Sequence, residues 1–233
     1  NTRRIYENMQ YLSNNEKIQF ENKFSKPKNN NQEEYVSCLR NKHRKIIVVS
    51  GPAGTGKTLF ATETGIRFFM MGIFDKLIFT RPSVSVDEDL GYLPGTLEEK
   101  MAPWVRPIYD ILYNFITPKE VTYLMEEKII EISPLGYMRG RTFKNCWIVA
   151  DEMQNSSPNQ MLMLTTRIGE GSKLVVTGDL NQSDRSIENG LIDIMRKIRS
   201  YTKTHSSHQS PHHPPHNPPP FGIRVVEMMN TDI

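Results

Sequence analysis

The residues Gly51-Pro52-Ala53-Gly54-Thr55-Gly56-Lys57-Thr58 follow the apolar run Ile46-Ile47-Val48-Val49 and match the phosphate-loop spacing G-x-x-x-x-G-K-[ST] at every fixed position. A phosphate chain is held by backbone N–H groups that converge on it. The chain curls that tightly only where bulky Cβ atoms are absent, which is the role expected of Gly51, Gly54 and Gly56. A helix opening near Lys57 adds the positive end of its dipole. The Lys57 ammonium then reaches the terminal phosphates, and the Thr58 hydroxyl ligates Mg²⁺.

A phosphate loop names a ligand class but not a reaction, so later strands must supply a metal-holding carboxylate and a group that activates water. Trp147-Ile148-Val149-Ala150 is an apolar strand ending in Asp151-Glu152, and strand alternation sends those two acids in different directions. Asp151 is the expected Mg²⁺ partner, directly or through water, which leaves Glu152 to orient and polarise the attacking water. Asp-Glu after a strand is also what a solvated loop start looks like; the upstream phosphate loop favours the chemical reading. A further strand, Lys173 to Thr177, ends in Gly178-Asp179-Leu180-Asn181-Gln182. The Gln182 amide can donate to a γ-phosphate oxygen and accept from water, and so distinguish ATP from ADP.

These residues require a scaffold that brings strand ends together. Five apolar runs, Ile46 to Ser50, Leu77 to Thr80, Ile129 to Ile132, Trp147 to Ala150 and Leu174 to Thr177, are nearly continuous and separated by helix-length segments. That pattern predicts an α/β fold, a mostly parallel sheet sandwiched by helices, whose ligands bind at the carboxyl edge. Helices are expected over 57–71, 97–115, 119–127, 158–168 and 188–199, with Ser157-Pro158 and Ser186 as start signals. Residues 1–30 read as a polar arm with a short amphipathic helix, and 31–233 as one domain. Within it, Ser200 to Pro220 reads as a disordered Pro/His-rich insertion before strand character resumes at Gly222 to Met229. Its His205, His208, His212, His213 and His216 are read as surface linker rather than a metal site.

The 233 residues suffice for one sizeable core, and a net charge of +3 demands no polyanionic partner. The two cysteines, Cys38 and Cys146, lack metal-ligand spacing and fit a reducing, cytoplasmic setting. No stretch of 18 apolar residues is present, so no membrane partner is expected.

Taken together, the ordered motifs GPAGTGKT, FTRPSV (Phe79 to Val84), LGYLPGTLEEK (Leu90 to Lys100), RPIYD (Arg106 to Asp110), YMRGRTF (Tyr137 to Phe143), DEMQN (Asp151 to Asn155) and TGDLNQ (Thr177 to Gln182) resemble the PhoH family of P-loop ATPases. The core of that family is similar to one RecA-like domain of the superfamily 1 helicases. The resemblance implies that the Gln32 amide reads the adenine edge, and that Arg81 meets a nucleic-acid backbone. It also implies that Arg139 and Arg141 contact phosphates of ATP or nucleic acid, or act across a subunit interface. Two departures stand out. Met153 replaces the family's alanine, a larger side chain beside the catalytic edge. The Arg- and His-containing segment that commonly follows a strand like GIRVVEM, with its late γ-phosphate arginine, is not in this sequence.

Two functional classes lead, ahead of a small-molecule or nucleoside kinase on the same fold, for which the sequence offers neither a lid nor an acceptor pocket. One is a Mg²⁺-dependent ATPase working with RNA or single-stranded DNA, supported by the basic cluster Arg40, Lys42, Arg44 and Lys45 together with Arg81, Arg139 and Arg141. A homo-oligomeric ring would supply the second surface that one RecA-like unit lacks. The other is a nucleotide-dependent switch or interaction module with little turnover.

Overall fold

The computed structural model describes residues 13–82, 97–183, 189–206 and 222–233. Ser83 and Val84, most of LGYLPGTLEEK, Ser186, and His208, His212, His213 and His216 lie outside them. Six strands, β1 (Ile46–Ser50), β2 (Lys76–Arg81), β3 (Ile130–Pro134), β4 (Cys146–Ala150), β5 (Lys173–Gly178) and β6 (Ile223–Glu227), form one sheet in the order β3-β2-β4-β5-β1-β6. Every pairing is parallel. The described helices are α1 (Asn14–Glu21), α2 (Asn30–Arg40), α3 (Lys57–Met70), α4 (Leu97–Tyr113), α5 (Pro118–Glu126), α6 (Pro158–Thr165) and α7 (Gly190–Ser206).

Alternation along the strands divides the core in two. Ile47, Val49, Leu77, Phe79, Trp147, Val149 and Val175 face the layer that holds α2 to α5. Val48, Ile78, Ile148, Ala150, Leu174 and Val176 face the layer of α6 and α7. Strands covered on both faces have no polar side to show, which is why they read as unbroken apolar runs.

Two helices differ most from the sequence reading. Helix α7 extends to Ser206 instead of stopping before Ser200, because Ser200 to Ser206 contains neither Gly nor Pro to end it. Helix α2 was not foreseen as a helix. Its start is fixed by Asn29, whose side chain accepts from the Gln32 N–H, and it buries Tyr35, Val36 and Leu39 on one face. Part of the polar arm also packs. Phe20 and Phe24 are buried, Phe24 stacks on Phe115, and the N–H and hydroxyl of Ser25 donate to Glu63 in α3 at 2.7 and 2.9 Å.

Helix α3 crosses the sheet directly over Trp147, whose indole Nε1 donates to the Ala61 carbonyl at 3.1 Å. A Cβ at Gly65 would lie 2.4 Å from the indole Cδ1. Gly65→Ala therefore opposes a helix-propensity gain of about 1 kcal/mol with an overpacking cost of about 1–3 kcal/mol. The expected outcome in urea denaturation is a net loss of stability; a gain would mean that the indole yields without cost.

On the same face, Lys173 at the start of β5 donates from Nζ to the carbonyls of Leu39 (2.7 Å) and Asn41 (2.8 Å), closing the end of α2. Burial pulls its pKa down to about 8. Between that value and the ordinary lysine range the unfolded chain binds more protons than the folded one, so this group makes stability rise with pH. Wild type should gain on Lys173→Met by about 1.5 kcal/mol between pH 8 and 9.5. Denaturant midpoints measured across that interval check it, and a constant difference would contradict it.

Candidate functional site

The loop after β1 fits its surroundings because it lacks side chains at three points. Gly54 and Gly56 both sit at φ +83°, with Gly56 the residue from which α3 starts. A Cβ on Gly56 would lie 2.7 Å from the Phe60 ring, and one on Gly51 would lie 2.5 Å from Met228 Cβ. Helix α2 braces the loop from behind, the Tyr35 hydroxyl donating to the Lys57 carbonyl at 2.9 Å.

In front of the loop lies a cleft of about 390 Å³ lined by Ala53, Gly54, Gly56, Lys57, Thr58, Asp151, Glu152, Gly178, Asp179 and Gln182. Strand order explains this grouping. β5 lies between β1 and β4, so the carboxyl ends of all three open into one crevice. Pro52 and Thr55 hold the loop's shape, with Thr55 Oγ1 donating to the Pro52 carbonyl at 2.9 Å. The Lys57 ammonium donates to the carbonyls of Gly51 (2.7 Å) and Pro52 (2.6 Å). Burial lowers its pKa, opposed by the carboxylates of Asp179, Asp151 and Glu152.

Asp151 joins three elements. Its Oδ1 accepts from Thr58 Oγ1 at 2.8 Å and from the Thr177 hydroxyl, while its N–H donates to Thr80 O at 2.8 Å. A hydroxyl and a carboxylate in contact fit Mg²⁺, which takes few protein ligands and completes its shell with phosphate oxygens and water. Glu152 follows in the left-handed region, φ +54°, a conformation that costs a non-glycine residue about 1–2 kcal/mol. That turn carries its carboxylate to Gln154, whose Nε2 donates to Glu152 Oε2 at 2.5 Å. Met153, the larger side chain beside the catalytic edge, does not enter the cleft. It is fully buried on the opposite side of this turn, in the cluster that contains Ile148, Leu164 and Leu191.

The other sequence candidates separate by location. Gln32 is buried against the loop, but its amide is engaged: Oε1 accepts from Lys28 N at 2.8 Å, and Nε2 donates to Thr55 O (3.3 Å) and Asp232 O (2.8 Å). Arg81 ends β2 on the same sheet edge as Asp151, its guanidinium 5.6 Å from the centre of the Trp104 ring. Arg141 is not brought to the cleft. It makes a two-pronged pair with Glu131 at 2.5 and 2.7 Å and lies over Phe143, beside the amino-terminal half of β3. Arg139 is exposed and follows the edge strand β3, which lies four strand spacings, roughly 19 Å, from β1. The cluster Arg40, Lys42, Arg44 and Lys45 precedes β1, at the edge of the sheet opposite the loop. Among the described residues no helix is long and apolar enough to cross a membrane.

A family profile described as PhoH-like protein matches residues 25–210. The chain belongs to the PhoH-like family. It is 46% identical over 153 residues to a PhoH-like protein of Synechocystis sp., covering 66% of this chain and 46% of that one. It is 44% identical over 162 residues to a PhoH-like protein of Bacillus subtilis, covering 69% and 50%. With Protein PhoH of Escherichia coli it shares 38% over 174 residues, covering 73% and 49%. The chain thus spans about half the length of these curated relatives. Membership agrees with the parallel α/β architecture and implies nucleotide binding.

Three contributors were not assigned roles from the sequence. Gln154 and Asp179 are buried polar residues at the carboxyl ends of β4 and β5, and Thr177 faces Asp151 from within β5. Their positions in DEMQN and TGDLNQ were the available signal; which of those polar groups point inward depends on the tight turns after each strand. Gly56→Ala is expected to weaken Mg²⁺-nucleotide binding at least tenfold, about 1.4 kcal/mol, because its Cβ displaces Phe60 and strains the left-handed turn. Titration with a fluorescent ATP analogue measures this, and unchanged affinity would contradict it.

Proposed function

We propose that this chain binds ATP with Mg²⁺ and hydrolyses it. The observation that supports this reading best is the convergence of Lys57, the Thr58–Asp151 pair and Glu152 in one cleft at the end of β1, β4 and β5. Loop N–H groups and the start of α3 take up the β- and γ-phosphates, and Lys57 transfers its ammonium from the Gly51 and Pro52 carbonyls to phosphate oxygens. Mg²⁺, held by Thr58 and by Asp151 directly or through water, offsets the negative charge that three cleft carboxylates and a triphosphate bring together. Glu152 orients a water, whose oxygen bonds to the γ-phosphorus as the bond to the bridging β–γ oxygen breaks; Glu152 accepts the proton that leaves. Gln182, exposed on the turn after β5, contacts the γ-phosphate.

The partner proposed is RNA or single-stranded DNA, meeting Arg81 at the carboxyl edge, where binding is coupled to the cleft through β2 and the Asp151 N–H bond to Thr80. The Arg40–Lys45 cluster does not share that edge and plays no part in this coupling. Arg139 suits a neighbouring subunit of a homo-oligomeric ring better than its own cleft. Residues 31–233 form the proposed ATPase unit, acting in the cytoplasm where ATP and free Cys38 and Cys146 coexist.

Phosphate release from Mg²⁺-ATP, with and without single-stranded RNA or DNA, tests the proposal. Glu152→Gln should lower kcat by about 10²–10⁴-fold with ATP affinity kept. Lys57→Ala should lose affinity itself, and Arg81→Ala should lose only the nucleic-acid stimulation. Binding with no Glu152-sensitive turnover under any condition would reject hydrolysis and assign a nucleotide-dependent switch.

A further inference from the structure

Gln154 lies in the short helical turn Met153–Asn155 after β4, with a side chain 1% exposed, and it touches both halves of the proposed machinery. Its Oε1 accepts from the Asp179 N–H at 3.1 Å and its Nε2 donates to Glu152 Oε2 at 2.5 Å. The chemistry of the partners fixes the orientation of this amide, since a backbone N–H only donates and an ionised carboxylate only accepts. Its backbone carbonyl accepts from Ser183 Oγ at 3.2 Å, a second tie to the segment that carries Gln182. The fit admits no slack. A Cβ on Gly178 would lie 2.7 Å from Gln154 Oε1 and 2.6 Å from Leu191.

We infer that Gln154 is a positioning residue for hydrolysis. Its amide ties the carboxylate of Glu152 to the first residue of the Asp179–Gln182 turn, so that contact of the γ-phosphate with Gln182 and the aim of Glu152 at the water are one event. This rests on the hydrolytic reading above. Glu152 is a flexible side chain on a strained backbone, and one hydrogen bond from the Gln154 amide to Oε2 holds it. Misplacing a catalytic group by about 1 Å costs on the order of 10²-fold, which sets the scale of the effect.

The test uses Gln154→Met, Gln154→Glu and the double variant Glu152→Gln with Gln154→Met, in the full chain. Methionine keeps the volume and makes neither bond. Glutamate can still accept from the Asp179 N–H, and once the two neighbouring carboxyls have lost any shared proton it repels Glu152 rather than donating to it, so this variant is assayed at alkaline pH. Affinity for a fluorescent ATP analogue with Mg²⁺ should stay within about threefold of wild type, under 1 kcal/mol. Both single variants should lose kcat by about 10–100-fold. In the Glu152→Gln background the second substitution should cost less than about twofold in single-turnover rate, because Gln154 acts through Glu152. Should Gln154→Met fail to fold, Gln154→Glu alone carries the comparison. Wild-type kcat in either variant, a parallel loss of affinity, or additive losses in the double variant would overturn the inference. A wild-type chain without Glu152-sensitive turnover would instead fail the hydrolytic reading, and the control shows which has failed.

Discussion

The site depends on one carboxylate. Asp151 accepts from Thr58 at the start of α3 and from Thr177 in β5, while its own N–H binds β2 through Thr80, so a single residue ties four elements at one sheet edge. Parallel strands make this arrangement available, because all six carboxyl ends point the same way. Inserting β5 between β1 and β4 makes it useful. It sets the strand of the acid two spacings from that of the loop and leaves a crevice between them. The buried strands, the glycines of the loop and the brace from α2 all serve to hold that edge still.

Much of this was legible in the sequence. Apolar runs without alternation identified the strands, and the phosphate-loop spacing together with Asp151 and Glu152 identified the cleft. Their legibility has a physical basis: a strand buried on both faces and a loop without Cβ atoms are demands that few residue types satisfy. Side-chain direction was not legible. Met153 turns into the core while Glu152 beside it turns into the cleft, and the difference is a single left-handed φ at a non-glycine residue. The resemblance offered Arg141 as a phosphate contact, yet Glu131, ten residues earlier on an edge strand, claims it. Helix α2 was missed because only Tyr35, Val36 and Leu39 mark its apolar face in a run otherwise made of Asn, Gln, Glu, Ser, Cys and Arg.

The support behind the loop is as specific as the cleft in front of it. Gln32 bridges Thr55 to the Asp232 carbonyl, Asn31 donates to the Asp232 carboxylate at 2.9 Å, and Met228 packs where Gly51 has no side chain. The loop is thereby clasped between α2 and the turn after β6. For a base to be read by the Gln32 amide, the bonds to Thr55 and Asp232 must be exchanged for bonds to the ligand. These bonds tie the loop to the residues that follow the last strand, at the edge of the sheet far from Arg40 to Lys45.

The central claim is that the end of β1, β4 and β5 is a Mg²⁺-ATP site. A crystal structure of the chain with Mg²⁺ and a non-hydrolysable ATP analogue tests it most directly. The expected electron density has the triphosphate within Gly51–Thr58, the metal beside Thr58 and Asp151, and Glu152 facing a water in line with the γ-phosphorus. A nucleotide bound elsewhere, or a metal held without Thr58 and Asp151, would contradict it.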